Sequence, residues 1–184
     1  MKRESPWGSG GNTALNTLIV WVAQGFGVGR ISGAPGTWGT FVGMAYVLIL
    51  FQFCSLLIIG LLLAVGTAAS IWIGGRAESI LSERDPGSVV IDEIIAIPWC
   101  FIGLVFASSP LRWNESVTIP TCFGHSRWLW LPIVFVLFRI FDIAKPWPVG
   151  MSQRLPRGWG ITLDDVLAAG YVNLILAILL KLGS

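Results

Sequence analysis

The second apolar run of this 184-residue chain limits its fold more than any other feature. It extends from about residue 41 to residue 73 without a charged side chain. As one helix it would be about 50 Å long, whereas the hydrocarbon core of a bilayer is about 30 Å thick. A long helix projecting from the membrane, or a helical hairpin, would resolve the difference. We favour a hairpin that turns near Cys54 and Ser55, because it returns Thr37 and Gly74 to the same face.

Composition indicates an integral membrane protein. Apolar residues make up 54% of the chain and charged residues 12%, and the mean hydropathy is +0.75, all unlike an ordinary soluble domain. The other apolar runs cover about residues 14–28, 89–107, 128–143 and 163–182. The runs at 89–107 and 128–143 are expected to form a second hairpin around residues 108–127. The predicted fold class is all-α, a polytopic membrane helical bundle with short or re-entrant helices around a polar site.

The chain is predicted to contain one domain. Residues 1–13 are expected to form a mobile N-terminal tail, and residues 14–184 a single membrane-embedded helical domain. The tail lacks the apolar stretch of a removable signal peptide. The net charge of +2 gives no reason to expect nucleic-acid binding, and three widely spaced cysteines indicate neither a disulfide framework nor a zinc site.

Basic residues divide unequally between the two faces of this layout. Lysine and arginine in short loops accumulate on the cytoplasmic side of a membrane, so the richer face is predicted to be cytoplasmic. That face carries Lys2, Arg3, Arg30, Arg76, Arg84, Arg139, Lys145, Arg154 and Arg157. The opposite face carries Arg112, Arg127 and Lys181.

Short polar stretches lie directly against the apolar runs and all fall on the predicted cytoplasmic face. They are Gly33–Thr37, Asp85–Glu93, Arg139–Pro146 and Thr162–Asp165. Charge beside a membrane segment is costly and therefore indicates a function. A group of carboxylates with few basic neighbours favours a divalent metal ion bound through oxygen, of which Mg²⁺ is the candidate.

Local signals place the first pair of acids near a helix start. Asp85 followed by Pro86 is typical of an N-cap with proline at the first helical position. Asp92 and Glu93 would then lie near the second turn, before Pro98 ends or kinks the helix.

The remaining acids and bases are also expected at helix ends. Thr162–Asp165 has the spacing of a capping box, so Asp164 and Asp165 are either caps or ligands. Arg139, Asp142 and Lys145 follow one another at intervals of three residues and would share one helical face. Arg139 and Asp142 could equally be a plain ion pair within the membrane.

The Gly33–Gly39 stretch lacks the pattern of a nucleotide P-loop, although its backbone N–H groups could form an anion-binding nest. The single histidine, His125, lies on the other face, which removes serine–histidine–aspartate chemistry and histidine phosphoenzymes from consideration.

The motifs, and the order in which they follow one another along the chain, resemble those of a known family, bacterial phosphatidylglycerophosphatase A. The similarity covers Gly25–Gly29, Ala34–Gly39, Asp85–Glu93, Phe138–Pro148 and Gly158–Asp165. It implies an all-helical enzyme of the bacterial cytoplasmic (inner) membrane, with its active site facing the cytoplasm. The implied reaction is the Mg²⁺-dependent removal of the terminal phosphate of phosphatidylglycerophosphate, a lipid substrate, to give phosphatidylglycerol.

The residues and the resemblance lead to one hypothesis for the site. The predicted metal ligands are Asp92, Glu93, Asp164 and Asp165. The predicted catalytic set adds Arg139 and Lys145, which would neutralise phosphoryl charge, and Asp142, which would orient a cation or join the metal shell. The predicted phosphate cradle consists of Arg30, Ser32, Gly36 and Thr37. The alternative is an ion-coupled transporter that uses intramembrane carboxylates.

Overall fold

The computed structural model describes residues 13–108 and 128–182, which form helices and turns with no β-strand in these ranges. The helices are α1 (Thr13–Ala23), α2 (Pro35–Phe53), α3 (Leu56–Leu81), α4 (Ile91–Ala96), α5 (Ile102–Ser108), α6 (Trp130–Ala144), α7 (Val149–Ser152) and α8 (Gly158–Leu182). Short 3-10 helices cover Gly25–Arg30 and Ile97–Phe101. The all-α prediction is confirmed. The proposed tail, apart from its last residue, and the 109–127 connection lie outside the described residues.

Three of the helices are long and apolar enough to cross a membrane, namely Pro35–Phe53, Leu56–Leu81 and Gly158–Leu179. Large apolar side chains such as Ile49, Leu61, Val65 and Leu174 are exposed on them. In water such a surface would be unfavourable, whereas lipid chains solvate it well. The chain is therefore a polytopic membrane protein.

The long apolar run folds as the predicted hairpin. Helix α2 ends at Phe53, Cys54 and Ser55 are extended, and α3 begins at Leu56. At about 1.5 Å per residue, α2 is about 28 Å long, close to the thickness of the hydrocarbon core. Helix α3 continues beyond that length and carries Arg76 on its last turns.

The segment that contains Pro98 is a broken helix. Helix α4 ends at Ala96, a 3-10 helix covers Ile97–Phe101, and α5 begins at Ile102. Proline has no N–H to donate, so the backbone tightens locally instead of continuing as one α-helix. The predicted interruption at Pro98 is confirmed, and it leaves α4 as a short helix between α2 and α8.

A row of small residues on α2 brings α4 unusually close. A Cβ atom built at Gly39 would lie 2.9 Å from Cβ of Val90, and one at Gly43 would lie 2.9 Å from Cβ of Ile97. Contacts this short exclude any side chain at the two glycines, so α4 packs directly on the α2 backbone. Beneath this contact lies a core of fully buried side chains, including Phe51, Phe101, Phe138, Ile59 and Leu104.

Two helix starts differ from the predictions. Asp85 is not an N-cap: its φ is +50°, and α4 begins only at Ile91, so Asp92 and Glu93 lie in the first turn. The reason is tertiary, because the N–H of Val90 donates to the carbonyl of Ala23 in α1. A backbone group already bonded elsewhere cannot join an earlier helical turn.

The capping box at Thr162 is also absent. Helix α8 begins at Gly158, and the Thr162 hydroxyl lies inside it, 3.0 Å from the Ser70 hydroxyl of α3. Thr162 therefore links two helices, and Asp164 and Asp165 belong to the second turn of α8. They cannot be caps of that helix.

Candidate active site

Six of the seven predicted catalytic residues line a polar cavity of about 150 Å³, here called the acidic cavity. Helices α4 and α8 and the end of α6 contribute its walls. Its acidic lining residues are Asp85, Asp92, Glu93, Asp142, Asp164 and Asp165, and Lys145 is its basic one. So many carboxylates around one small space repel one another unless cations neutralise them.

Three of these acids form a compact group. One carboxylate oxygen from each of Asp92, Glu93 and Asp165 lies within 4.8 Å of the other two. Asp92 is 6% exposed and Asp165 3% exposed. One oxygen of each of the three is buried with no hydrogen-bond partner among the described residues. Buried oxygens without donors are unfavourable, and a divalent cation with oxygen ligands satisfies them.

Arg139 is not among the described residues that line the cavity, but it pairs with two acids that do. Its Nη1 donates to Oδ2 of Asp142 over 2.6 Å and lies 3.9 Å from Oε1 of Glu93. The predicted closeness of Arg139 and Asp142 is therefore confirmed. Because Arg139 also approaches Glu93, it is more than the partner of one acid and connects α6 to the carboxylate group.

Lys145 and Asp164 form the other ion pair of the site. The chain turns left-handed at Lys145, just after α6, and its Nζ donates to Oδ2 of Asp164 over 2.7 Å. Partial burial lowers the pKa of Lys145, but the hydrogen bond and the charge of Asp164 outweigh this effect and leave the pKa above its usual value. Lys145 is therefore a permanent cation at neutral pH.

Asp164 differs from the other three predicted metal ligands. One of its oxygens accepts the Lys145 ammonium, and the other accepts the backbone N–H of Asp165 over 3.1 Å. The structure thus pairs Asp164 with a cation, while Asp92, Glu93 and Asp165 keep oxygens available.

The predicted phosphate cradle is only partly near this site. Arg30 donates to Oε1 of Gln24 over 2.6 Å, Ser32 is exposed, and the N–H of Thr37 donates to the carbonyl of Ala34. None of these three, nor Gly36, is among the described residues that line the acidic cavity. Gly36 does contact the site, because a Cβ there would overlap Oε1 of Glu93 and lie 3.0 Å from Nη1 of Arg139.

Asp85 is a site residue that the sequence interpretation assigned to a different role. It lines the acidic cavity, and its Oδ2 accepts a hydrogen bond from Gln153. The sequence gives one indication of this position, because Asp85 lies in the same polar stretch as Asp92 and Glu93. The proline that follows it favours the N-cap interpretation instead.

Gly36 offers a test of the site that leaves the fold intact. In Gly36→Ala the new methyl group meets only the ends of flexible side chains, so we expect the thermal midpoint to stay nearly unchanged. The displaced Glu93 carboxylate should lower the activity of this site by at least about tenfold, since small displacements of reacting groups are costly. Gly60→Ala is the control, because a Cβ at Gly60 meets open space. Equal activities of the two variants would contradict the role of Glu93.

The fold and this cavity define a polytopic helical membrane protein with a buried acidic centre. The chain belongs to the phosphatidylglycerophosphatase A family, whose sequence profile matches residues 21–180. It is similar to phosphatidylglycerophosphatase A of Haemophilus influenzae, at 33% identity over 88% of each chain. The Escherichia coli phosphatidylglycerophosphatase A is 30% identical over 80% of this chain and 74% of its own.

A third relative carries a different name. A Bacteroides thetaiotaomicron protein, provisionally named phosphatidylinositol-3-phosphatase, is 33% identical over 88% of this chain and 92% of its own. No solved structure gives a significant match. These relatives support a phosphatase and give no support to the transporter alternative.

Proposed function

We propose that this protein is a Mg²⁺-dependent phosphatase that hydrolyses the terminal phosphomonoester of phosphatidylglycerophosphate to give phosphatidylglycerol. The observation that carries the proposal is the group of buried, unpartnered carboxylate oxygens of Asp92, Glu93 and Asp165 at the acidic cavity. Two relatives named phosphatidylglycerophosphatase A support the substrate. The third relative makes an inositol lipid phosphate the competing substrate to test.

The donor set suits Mg²⁺. Asp92, Glu93 and Asp165 would hold the ion, because hard divalent cations prefer carboxylate oxygens. When bound, such an ion polarises phosphate oxygens and lowers the pKa of a coordinated water. Asp92 and Asp165 are buried, and so is one oxygen of the partly exposed Glu93, so the group is largely shielded from bulk water.

The basic residues of the site have separate roles in this mechanism. Lys145 lines the acidic cavity, and Arg139 pairs with two of its acids. Both cations would bind oxygens of the phosphoryl group, whose charge must be balanced in the transition state. Asp142 holds the Arg139 guanidinium through the 2.6 Å hydrogen bond, and Asp164 holds the Lys145 ammonium through the 2.7 Å one. Each cation is thus oriented before the substrate binds.

We place the protein in the bacterial inner membrane with the acidic cavity facing the cytoplasm. The sequence assigns the arginines at positions 30, 76, 84, 154 and 157 to the predicted cytoplasmic face, and all five are exposed. This excess supports the orientation by the positive-inside rule. The acyl chains of the substrate would stay in the bilayer while the headgroup reaches the cavity.

Removal of the metal is the direct test of the cofactor. In detergent, purified protein with phosphatidylglycerophosphate and Mg²⁺ should release phosphate, and EDTA should abolish the release. Added Mg²⁺ should restore it, because the fold does not require the ion for its apolar core. Release that continues at full rate in excess EDTA would contradict the metal-dependent mechanism.

The substrate class needs its own comparison. The same preparation should act much more slowly on phosphatidylinositol 3-phosphate and on soluble phosphate monoesters. A preference for the inositol lipid would overturn the proposed substrate, and equal rates with soluble esters would show that the lipid is not recognised.

A further inference from the structure

A second cavity, of about 380 Å³, lies where α3 and α8 cross. It is called the arginine cavity here. Its lining residues are Ala68, Ile71, Trp72, Gly75, Arg76, Arg157, Gly158 and Trp159. This lining includes two guanidinium groups and no acid. The predicted phosphate cradle and the proposed mechanism use neither arginine.

Arg76 and Arg157 are free to bind a ligand. Both are exposed, and within the described part of the chain neither has an ion pair or a side-chain hydrogen bond. Arg157 has a φ of +55°, a left-handed conformation that is uncommon for residues other than glycine. Backbone strain of this kind is concentrated at functional sites.

The close crossing of the two helices holds these arginines at the same opening. A Cβ at Gly75 would lie 3.3 Å from Cβ of Arg157 and 3.0 Å from the backbone nitrogen of Gly158. Because no side chain separates the backbones, Arg157 lies against α3 beside the turn that carries Arg76. Two arginines in this arrangement can each present paired N–H donors to one phosphate.

The arginine cavity also has the apolar surroundings of a membrane interface. Trp72 is 60% exposed and Trp159 is 51% exposed, one on each of the two helices. Tryptophan prefers the level of the lipid headgroups, with its ring between the hydrocarbon and the water. The phosphate groups of phospholipids lie at this same level.

A small cleft of about 10 Å³ shares lining residues with both cavities. Arg157 borders both the arginine cavity and the cleft, while Asp85 and Ile161 border both the cleft and the acidic cavity. Arg157 immediately precedes α8, and Asp164 lies about 10 Å further along the helix axis. Aspartate side chains lean towards the N-terminus of their helix, which shortens this separation.

We propose that Arg76 and Arg157 bind the phosphodiester of the lipid substrate while its terminal phosphomonoester lies in the acidic cavity. This inference rests on the proposed function, because it assigns the second phosphate of the same lipid. Carboxylates outnumber cationic side chains in the acidic cavity, so the arginine cavity would add to the attraction that the bound metal ion exerts on an anionic lipid. Recognition of the diester would distinguish this substrate from lipids and soluble esters that carry only a monoester.

The kinetic test uses Arg76→Gln, Arg157→Gln and the double variant. With phosphatidylglycerophosphate in mixed micelles, each single variant should raise KM about tenfold, a factor that corresponds to about 1.4 kcal/mol of binding free energy. The turnover number should change by less than about twofold, since the diester is unchanged in the reaction. Arg154→Gln is the matched control, because Arg154 is exposed and lines neither cavity.

Phosphatidic acid distinguishes attraction to the phosphodiester from attraction to any anionic lipid, because it has acyl chains and a monoester but no phosphodiester. Its apparent affinity, measured as substrate or as competitor, should be the same for the wild type and the arginine variants. An equal loss for both lipids would mean that the arginines attract any anionic lipid, and would overturn the diester assignment. An unchanged KM for phosphatidylglycerophosphate would overturn it as well.

A binding measurement keeps the inference separate from the proposed reaction. Short-chain phosphatidylglycerol, which carries the diester alone, should bind the wild type in calorimetry and bind the double variant at least about tenfold more weakly. If the wild type binds phosphatidylglycerol through the arginines but releases no phosphate from phosphatidylglycerophosphate, the proposed reaction is wrong and the lipid site stands. If binding does not depend on the arginines, the lipid site is wrong.

Should a glutamine variant fail to fold, Arg76→Lys and Arg157→Lys keep the charge and are expected to raise KM to a smaller extent.

Discussion

Replacing Asp92 or Asp165 by asparagine is expected to reduce phosphate release by at least about a hundredfold while making the metal-free protein more stable. The amide keeps the shape of the side chain but has one oxygen and no charge, so it is a poor ligand for Mg²⁺. Loss of even a supporting partner of a metal ligand costs about 10- to 100-fold, and loss of the ligand itself should cost more.

The expected gain in stability also follows from the loss of the carboxylate charge. Asp92, Glu93 and Asp165 lie close together, each with one buried oxygen that has no hydrogen-bond partner among the described residues. Removing one carboxylate relieves repulsion within the group, so the thermal midpoint in EDTA should rise. In the wild type, Mg²⁺ should supply the same relief by binding the folded state.

The measurements are the rate of phosphate release in Mg²⁺ and the thermal midpoint with and without EDTA. Glu83→Gln provides the control, because Glu83 is exposed and does not line the acidic cavity. A loss of activity that comes with a lower midpoint in EDTA would point to a damaged fold. Full activity in either asparagine variant would remove that residue from the site.

The largest effect on folding is expected from Gly158→Ala. A Cβ at this position would overlap the carbonyl oxygen of Ile71 and come too close to the backbone nitrogen of Gly75. Backbone atoms cannot move aside as the end of a side chain can, so α8 must shift away from α3. Overpacking usually costs about 1–3 kcal/mol, and a clash with the backbone should reach the upper part of this range.

The control for this variant lies on the same helix. A Cβ at Gly170 meets no atom within 4 Å, and alanine is a better helix former than glycine by about 0.8–1.0 kcal/mol. Gly170→Ala should therefore leave the thermal midpoint unchanged or raise it, whereas Gly158→Ala should lower it and reduce the yield of folded protein. Similar midpoints for the two variants would contradict the close helix crossing.

The parts of the fold that depend on the bilayer could be predicted from the sequence. The run from 41 to 73 is too long for one crossing, and the turn at Cys54 and Ser55 follows from that length. The meeting of Asp92 and Asp165 could be expected because both polar stretches fall on one face of the predicted layout. Neither conclusion required knowledge of individual side-chain contacts.

Features decided by tertiary contacts could not be predicted. The start of α4 depends on the bond from Val90 to Ala23, and the role of Thr162 depends on Ser70, which is far away in the sequence. The pairing of Asp164 with Lys145 requires the left-handed turn after α6, which leaves no clear pattern in the residues.

The arginine cavity is a further case. The sequence indicates Arg76 and Arg157 only as markers of topology, because nothing in it shows that α3 and α8 cross where these arginines lie.

The close packing at the two glycines of α2 has a consequence for how this chain can change over evolutionary time. Gly39 and Gly43 leave the α2 backbone bare, so Val90 and Ile97, on either side of the short helix that carries Asp92 and Glu93, pack directly against it. Side chains that face the acyl chains can therefore vary in size and shape while the spacing of the carboxylate oxygens stays constant. A lineage could adapt its outer surface to a thicker, thinner or more fluid membrane and retain the same chemistry.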